Sequence, residues 1–158
     1  MNATYSTKES NTSEDINAES VEGKVNVSLL LGNVGANRTE IECWYNYSTQ
    51  YVFRVDAVTI MAFNSSSKTF ESIVTFLVNG DASVTPYGQY LIGRVTLNNI
   101  TNSSTKAIMI FNKLLCIDDA LYRCNVRYTI PPSYDREDTH SNNINLQVQG
   151  NNTCLIMF

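Results

Sequence analysis

The stretch that decides the fold of this 158-residue chain is Asp118-Asp119-Ala120-Leu121-Tyr122-Arg123-Cys124. The residues from its tyrosine onward alternate between an apolar and a polar set: Tyr122, Cys124, Val126 and Tyr128 against Arg123, Asn125 and Arg127. Because successive side chains of a β-strand point to opposite faces, this alternation predicts a half-buried strand. The stretch therefore predicts a strand whose cysteine points into a protein core.

The same alternation recurs outward from this strand in both directions. It is found at residues 25–31, 41–45, 58–63, 95–97, 107–111 and 144–148, and a β-branched and aromatic run occupies 73–78. Clusters of turn-forming residues separate these runs at 32–37, 64–67, 79–83, 98–104 and 131–143. The pattern predicts an all-β chain in which seven to nine strands form two antiparallel sheets packed as a sandwich.

Length and composition place a single domain within the chain. A hydrophobic content of 43% suffices for one core, and 158 residues fit one domain better than two. We expect a mobile polar lead-in at residues 1–20, the folded domain at 22–150, and a C-terminal tail at 151–158.

Several function classes are disfavoured. The net charge of −4 and only 11 Lys and Arg residues lack the basic footprint of a nucleic-acid binder. The apolar runs are far shorter than the roughly 20 residues that span a bilayer, so no direct membrane insertion is expected. The one histidine, His140, falls in a predicted polar loop, and no phosphate-binding or metal-ligand motif is found. We therefore expect no catalytic residues, no cofactor and no metal, and hence no enzyme.

Asparagine is over-represented in a way that bears on the cellular compartment. The 19 Asn residues form nine Asn-x-Ser/Thr sequons, where roughly four are expected by chance. An Asn-rich gene with unused sequons is the alternative. Residues 1–20 contain no secretion signal, so we expect the leader to lie outside this chain. The excess predicts an extracellular glycoprotein, either secreted or the ectodomain of a membrane protein, with candidate glycosylation sites at Asn26, Asn37, Asn46, Asn64, Asn99, Asn102 and Asn151.

The combination of Asp118, Tyr122 and Cys124 with Cys43 and Arg94 resembles the immunoglobulin superfamily, variable or intermediate type, over about residues 22–150. The run from residue 70 to residue 124 also looks like invertebrate immune-type domains, such as those of molluscan fibrinogen-related lectins. The resemblance implies a Greek-key β-sandwich with a Cys43–Cys124 disulfide, a tyrosine corner at Tyr122, and an Arg94–Asp118 ion pair closing one end. In that topology Cys116 and Cys154 emerge at the same end and are hypothesised to pair. An interchain bond, a bond to a neighbouring domain, or free thiols are the alternatives.

One departure from that family concerns tryptophan. The family's core Trp on the third strand, strand C, is missing here, and Ile60 or Val58 is expected to fill its place. The only Trp, Trp44, directly follows Cys43 and should face outward. We expect it to be covered by the N-terminal segment or by a glycan on Asn46, or else to anchor an interface.

The resemblance also locates a candidate binding surface. Residues 125–143 correspond to the family's long variable loop between strands F and G, with candidate ligand-binding residues Arg127, Tyr128, Tyr134 and Arg136. A surface loop without function is the alternative. No sequon falls between Asn102 and Asn151, so we expect strands F and G to present a face without a glycan, which carries Arg123, Arg127, Asn145 and Gln147.

Two functions follow from these expectations. The first is an extracellular recognition module, for instance in innate immunity, that binds a protein or glycan ligand through the F–G loop and the G-F-C face. The alternative is a cell-adhesion or spacer domain that supports its neighbours or self-associates as a weak homodimer.

Overall fold

The computed structural model describes residues 24–33 and 38–148. Within these ranges the chain forms ten strands, in the order β1 (Val25–Leu31), β2 (Thr39–Tyr47), β3 (Arg54–Asn64), β4 (Thr69–Leu77), β5 (Ser83–Val84), β6 (Val95–Leu97), β7 (Lys106–Phe111), β8 (Ala120–Ile130), β9 (Asp135–His140) and β10 (Ile144–Leu146). Two short 3-10 helices, Pro86–Leu91 and Cys116–Asp118, precede β6 and β8.

The strands form two antiparallel sheets. One has four strands in the order β1-β2-β7-β6, and the other has six, in the order β10-β8-β3-β4-β5 with β9 also paired to β8. This arrangement confirms the predicted all-β fold. The described residues contain more strands than expected because the short β5 and the polar β9 carry no apolar alternation.

The core lies between the two sheets and is centred on a disulfide. Cys43 of β2 and Cys124 of β8 are bonded, with their Cα atoms 6.1 Å apart. Ile60 of β3 lies opposite Cys124 in the sheet register and is fully buried. An aliphatic side chain therefore occupies the space beside the disulfide, as the absence of a strand C tryptophan required.

Residues 125–143 do not form the long loop that the sequence predicts. Asn125–Ile130 of β8 pairs residue by residue with Asp135–His140 of β9, and only residues 131–134 form the turn between them. The prediction was wrong because β9 has the sequence Asp-Arg-Glu-Asp-Thr-His, which lacks apolar residues. A strand at a sheet edge needs few buried side chains, since its backbone hydrogen bonds hold it in place.

One end of the sandwich is closed by a buried polar cluster. The Arg94 guanidinium donates to the two carboxylate oxygens of Asp118 at 2.8 and 3.0 Å. The Tyr122 hydroxyl donates to the Asp118 carbonyl oxygen at 2.6 Å. These contacts fix the 3-10 helix at Cys116–Asp118 against the start of β8.

The side chain of Asn142 connects the two sheets near β1. The Asn142 amide, between β9 and β10, accepts from the Leu29 backbone N–H at 3.0 Å and donates to the Leu29 carbonyl at 3.3 Å. Asn142 thus makes with β1 the pair of bonds that a neighbouring strand would make. The link fixes β1 against the edge of the six-stranded sheet.

Candidate functional site

The exposed side of the six-stranded sheet carries aligned rows of side chains. Thr59 of β3 lies between Thr75 of β4 and Asn125 of β8 in the sheet register. His140 of β9 continues this row, since it lies opposite Asn125. Residues at matched register positions share a face, so side chains from four strands meet there.

These rows line a shallow depression with a volume of about 560 Å³. We call its lining the concave face: Ala57, Thr59, Met61, Ser72, Thr75, Leu77, Asn125, Arg127, Asp138 and His140. Register shifts in β3 at residues 55–57 and 60–61 add local twist, as β-bulges do.

Asp138 organises the polar edge of the concave face. Its Oδ1 accepts from Asn125 Nδ2 at 3.0 Å and from Arg127 Nε at 3.2 Å. The Oδ1 of Asn125 is buried and has no hydrogen-bond partner within the described ranges. A buried acceptor without a partner costs free energy, and this cost falls at the polar edge of the concave face.

An aromatic cluster lies at the β8–β9 turn of the same sheet. The rings of Phe53 and Tyr134 meet edge to face with centroids 5.3 Å apart, although the two residues are 52% and 62% exposed. The Arg54 guanidinium lies 5.7 Å from the Phe53 ring centroid. We call these three residues the aromatic corner. Exposed aromatic and arginine side chains of this kind supply much of the free energy of protein binding.

The four predicted ligand-binding residues are not equivalent. Arg127, Tyr134 and Arg136 are exposed, whereas Tyr128 is only 5% exposed. The Tyr128 hydroxyl donates to Glu137 Oε2 at 3.0 Å, and burial together with this carboxylate raises its pKa to about 12. Tyr128 therefore belongs to the core. The prediction that it contacts a ligand was wrong, because its side chain occupies an inward position of β8.

Two residues of the six-stranded sheet have environments that differ from those expected from the sequence. The Arg123 guanidinium lies 4.1 Å from the Phe70 ring centroid and is not freely extended into solvent. His140 is the last residue of β9 and lines the concave face, so it is a strand residue and not part of a loop. No sequence signal indicated that His140 lies in a strand, because β9 has no apolar periodicity.

None of the candidate glycosylation sites among the described residues lines the concave face. Asn26 and Asn46 are cross-strand neighbours on β1 and β2, in the four-stranded sheet. Asn99 and Asn102 lie between β6 and β7, and Asn64 ends β3. Asn37 and Asn151 lie outside the described residues. Within residues 24–33 and 38–148, no sequon lines the depression.

Only one cysteine of the second predicted disulfide lies among the described residues. Cys116 begins the 3-10 helix before β8 and is disulfide-bonded. Its hypothesised partner, Cys154, lies outside the described residues. The Cys116–Cys154 pairing therefore stays a prediction.

Residues 24–33 and 38–148 contain neither a metal-binding cluster nor a membrane-spanning helix. No group of three or more His, Cys, Asp or Glu side chains that could hold a metal ion is found there. No helix in the described part of the chain is long and apolar enough to span a bilayer.

The fold is shared with known immunoglobulin domains. No protein-family model matches the sequence, and no curated protein is significantly similar to it. Among solved structures, murine CRIg is similar with a TM-score of 0.61 and 17% sequence identity, covering 80% of this chain and 98% of that one. CRIg is a variable-type domain of the immunoglobulin superfamily. The geometry and this likeness together show that the chain has an immunoglobulin-like β-sandwich fold.

Proposed function

We propose that this chain is an extracellular recognition domain that binds a protein ligand through the concave face and the aromatic corner. The observation that carries the proposal is the hollow over four strands, which is lined by hydroxyl groups and by the exposed Arg127–Asp138 pair, while the exposed rings of Phe53 and Tyr134 meet at the β8–β9 turn of the same sheet. This combination of polar groups and aromatic anchors is typical of protein-binding surfaces.

The distribution of sequons supports the concave face, whereas the candidate glycosylation site Asn102 lines a depression together with Phe53 and Arg54 of the aromatic corner. Asn26 and Asn46 would place glycans on the four-stranded sheet, whereas no described sequon lines the concave face. A bulky glycan excludes a protein partner from its surroundings. The concave face is therefore left accessible when the other sheet is glycosylated.

The charges of the concave face favour a ligand with matched polar groups. Arg127 and Asp138 pair with each other at 3.2 Å, and their side chains are 53% and 42% exposed. An exposed pair of this kind contributes little to folding, so both groups can exchange partners at low cost. Their opposite signs position a ligand more than they add affinity.

The experiment is a binding screen of the secreted, glycosylated chain against an array of extracellular proteins. Every positive interaction is then measured with Thr59→Arg, which fills the centre of the depression. The matched control is Thr96→Arg, on the exposed position of β6 in the opposite sheet. Loss of binding in Thr59→Arg but not in Thr96→Arg supports the proposal, and the reverse pattern refutes it.

Self-association is the second candidate, and the mixed charge of the concave face favours it. In a twofold dimer the same patch meets itself, so Arg127 of one copy can reach Asp138 of the other. Sedimentation velocity over a range of concentrations tests this arrangement. Dimerisation that Arg127→Glu abolishes and Arg127→Glu with Asp138→Arg restores would support adhesion.

A further inference from the structure

The exposed side of the four-stranded sheet has its own aromatic residue, Trp44 of β2. The Lys106 Nζ lies 4.6 Å from the Trp44 ring centroid, and Trp44 Nε1 donates to Glu42 Oε2 at 3.0 Å. The Lys106 ammonium also lies 3.8 Å from Glu42 Oε1. These contacts fix the orientation of the indole while leaving it half-buried on an exposed sheet face.

A groove of about 350 Å³ runs beside this indole. Trp44 borders it together with Ser28, Asn26 and Asn46. Its volume falls at the lower end of pockets that hold small ligands. Asn46 and Trp44 are two residues apart on β2, so they share a face and lie about 6.6 Å apart along the strand.

The two asparagines of the groove both belong to sequons, Asn26-Val27-Ser28 and Asn46-Tyr47-Ser48. They lie directly opposite each other, and Asn26 Nδ2 donates to Asn46 Oδ1 at 3.2 Å. The Nδ2 of Asn46, the atom to which a glycan is attached, has no partner among the described residues. A glycan on Asn46 would therefore leave the Asn26–Asn46 hydrogen bond in place.

We propose that Asn46 carries an N-linked glycan whose first sugar residue lies in this groove against the Trp44 ring. In the attachment step, Nδ2 of Asn46 forms a bond to the anomeric carbon of a lipid-diphosphate-linked oligosaccharide. The bond from that carbon to the phosphate oxygen breaks, the lipid diphosphate leaves, and Nδ2 releases one proton. The site therefore takes an oligosaccharide from the secretory pathway, with Trp44 as its non-covalent contact.

The chemistry of the groove suits a sugar. The face of an indole ring carries negative charge density, which attracts the weakly positive C–H groups on one side of a pyranose. Ser28 offers a hydroxyl on the neighbouring strand, where a sugar hydroxyl or acetamido group can form a hydrogen bond. Covering the indole also removes an exposed apolar surface from water.

Trp44 is the only tryptophan of the chain, so its fluorescence reports on this groove alone. The full chain is secreted from mammalian cells behind an added leader, and glycan occupancy of Asn46 is measured by peptide mass spectrometry. Acrylamide quenching of Trp44 is compared between the wild type and Ser48→Ala, which removes the sequon. Ser48→Thr retains the sequon and is the matched control.

We expect Asn46 to be occupied and the quenching constant to be roughly half that of Ser48→Ala, because one ring face is covered. Ser48→Thr should behave as the wild type. Ser66→Ala, which removes the sequon of Asn64 at the end of β3 in the six-stranded sheet, should not change the quenching.

Three results would overturn the proposal: an unmodified Asn46, equal quenching with and without its glycan, or protection that disappears in Ser66→Ala. The inference rests on the extracellular location in the proposed function, but it concerns the opposite sheet. Ser48→Ala should leave ligand binding at the concave face unchanged. Failure of the Trp44 contact is therefore distinguishable from failure of the proposed recognition surface, which is measured with Thr59→Arg.

Discussion

The fully buried carboxylate of Asp118 is held by the guanidinium of Arg94 through two hydrogen bonds, 2.8 and 3.0 Å long. Asp118 Oδ2 also accepts from the Leu115 backbone N–H at 2.7 Å. The Arg94 side chain is 16% exposed, and its remaining hydrogen bonds go to the carbonyl oxygens of Tyr90 and Lys113. The pair thus connects β6 to the entry of β8 at one end of the sandwich.

Removing Arg94 should strongly destabilise the fold. Arg94→Ala leaves a buried carboxylate without its counter-charge, which costs about 3–5 kcal/mol in the free energy of unfolding. Arg94→Lys should recover only part of this loss, because an ammonium group cannot make the same two parallel bonds. Urea unfolding followed by circular dichroism measures both. Arg54→Ala, which breaks a pair with a 54% exposed arginine, should cost no more than about 1 kcal/mol. Equal losses at Arg94 and Arg54 would contradict this account.

Two buried tyrosines should respond in opposite directions to loss of their hydroxyl group. The Tyr122 hydroxyl donates to the Asp118 carbonyl, so Tyr122→Phe should lower the free energy of unfolding by about 1–3 kcal/mol. The Tyr45 hydroxyl is buried without a partner in the described part of the chain, so Tyr45→Phe should raise it by about 1 kcal/mol. Thermal unfolding of the two variants tests the contrast, and destabilisation by Tyr45→Phe would show that its hydroxyl is satisfied.

The same tyrosine predicts a loss of stability at alkaline pH. Burial and the neighbouring Tyr47 raise the pKa of Tyr45 from 10.0 to about 12 in the folded chain. The folded state therefore retains the phenol proton to a higher pH than the unfolded state does. Its contribution to stability is fully present below pH 10 and is lost as the pH rises towards 12. The free energy of unfolding should fall less steeply over this window in Tyr45→Phe than in the wild type. If the free energy of unfolding fell equally steeply with pH in the two proteins, ionisation of Tyr45 would be excluded as a cause of the alkaline loss of stability.

Asn142 should be required for the attachment of β1 to the six-stranded sheet. Asn142→Ala removes both side-chain bonds to Leu29 and should cost about 1–2 kcal/mol. It should also speed hydrogen exchange at the Leu29 amide. Asn142→Asp retains the acceptor for that amide and should have a smaller effect on exchange. The neighbouring Asn143→Ala is the matched control, because Asn143 is exposed. Unchanged exchange at Leu29 in Asn142→Ala would contradict the proposed role.

Sequence alone predicted the parts of the fold in which side-chain chemistry is periodic. The alternation around Tyr122 and Cys124 located β8, and the same pattern located β1, β2 and β3. It also placed Trp44 outward, whereas the aliphatic residue beside the disulfide, where Ile60 lies, was predicted from the family resemblance. These features follow from local sequence because burial on one face of a strand selects every second residue.

The concave face could not be predicted in the same way. Its shape depends on the register that places Thr59 between Thr75 and Asn125, and register is set by long-range pairing. The polar strand β9 gave no periodic signal, so Asp138 and His140 were placed in a loop. Tyr128 was assigned to that loop for the same reason, although the alternation from Tyr122 already indicated an inward position.

The central claim, that the concave face and the aromatic corner bind a protein ligand, is tested most directly by hydroxyl-radical footprinting of the complex. The account predicts that ligand binding lowers the oxidation of Met61 and Tyr134 and leaves Trp44 and Ile110 of the opposite sheet unchanged. Protection of Trp44 and Ile110 with full oxidation of Met61 and Tyr134 would contradict it, because the ligand would then occupy the four-stranded sheet.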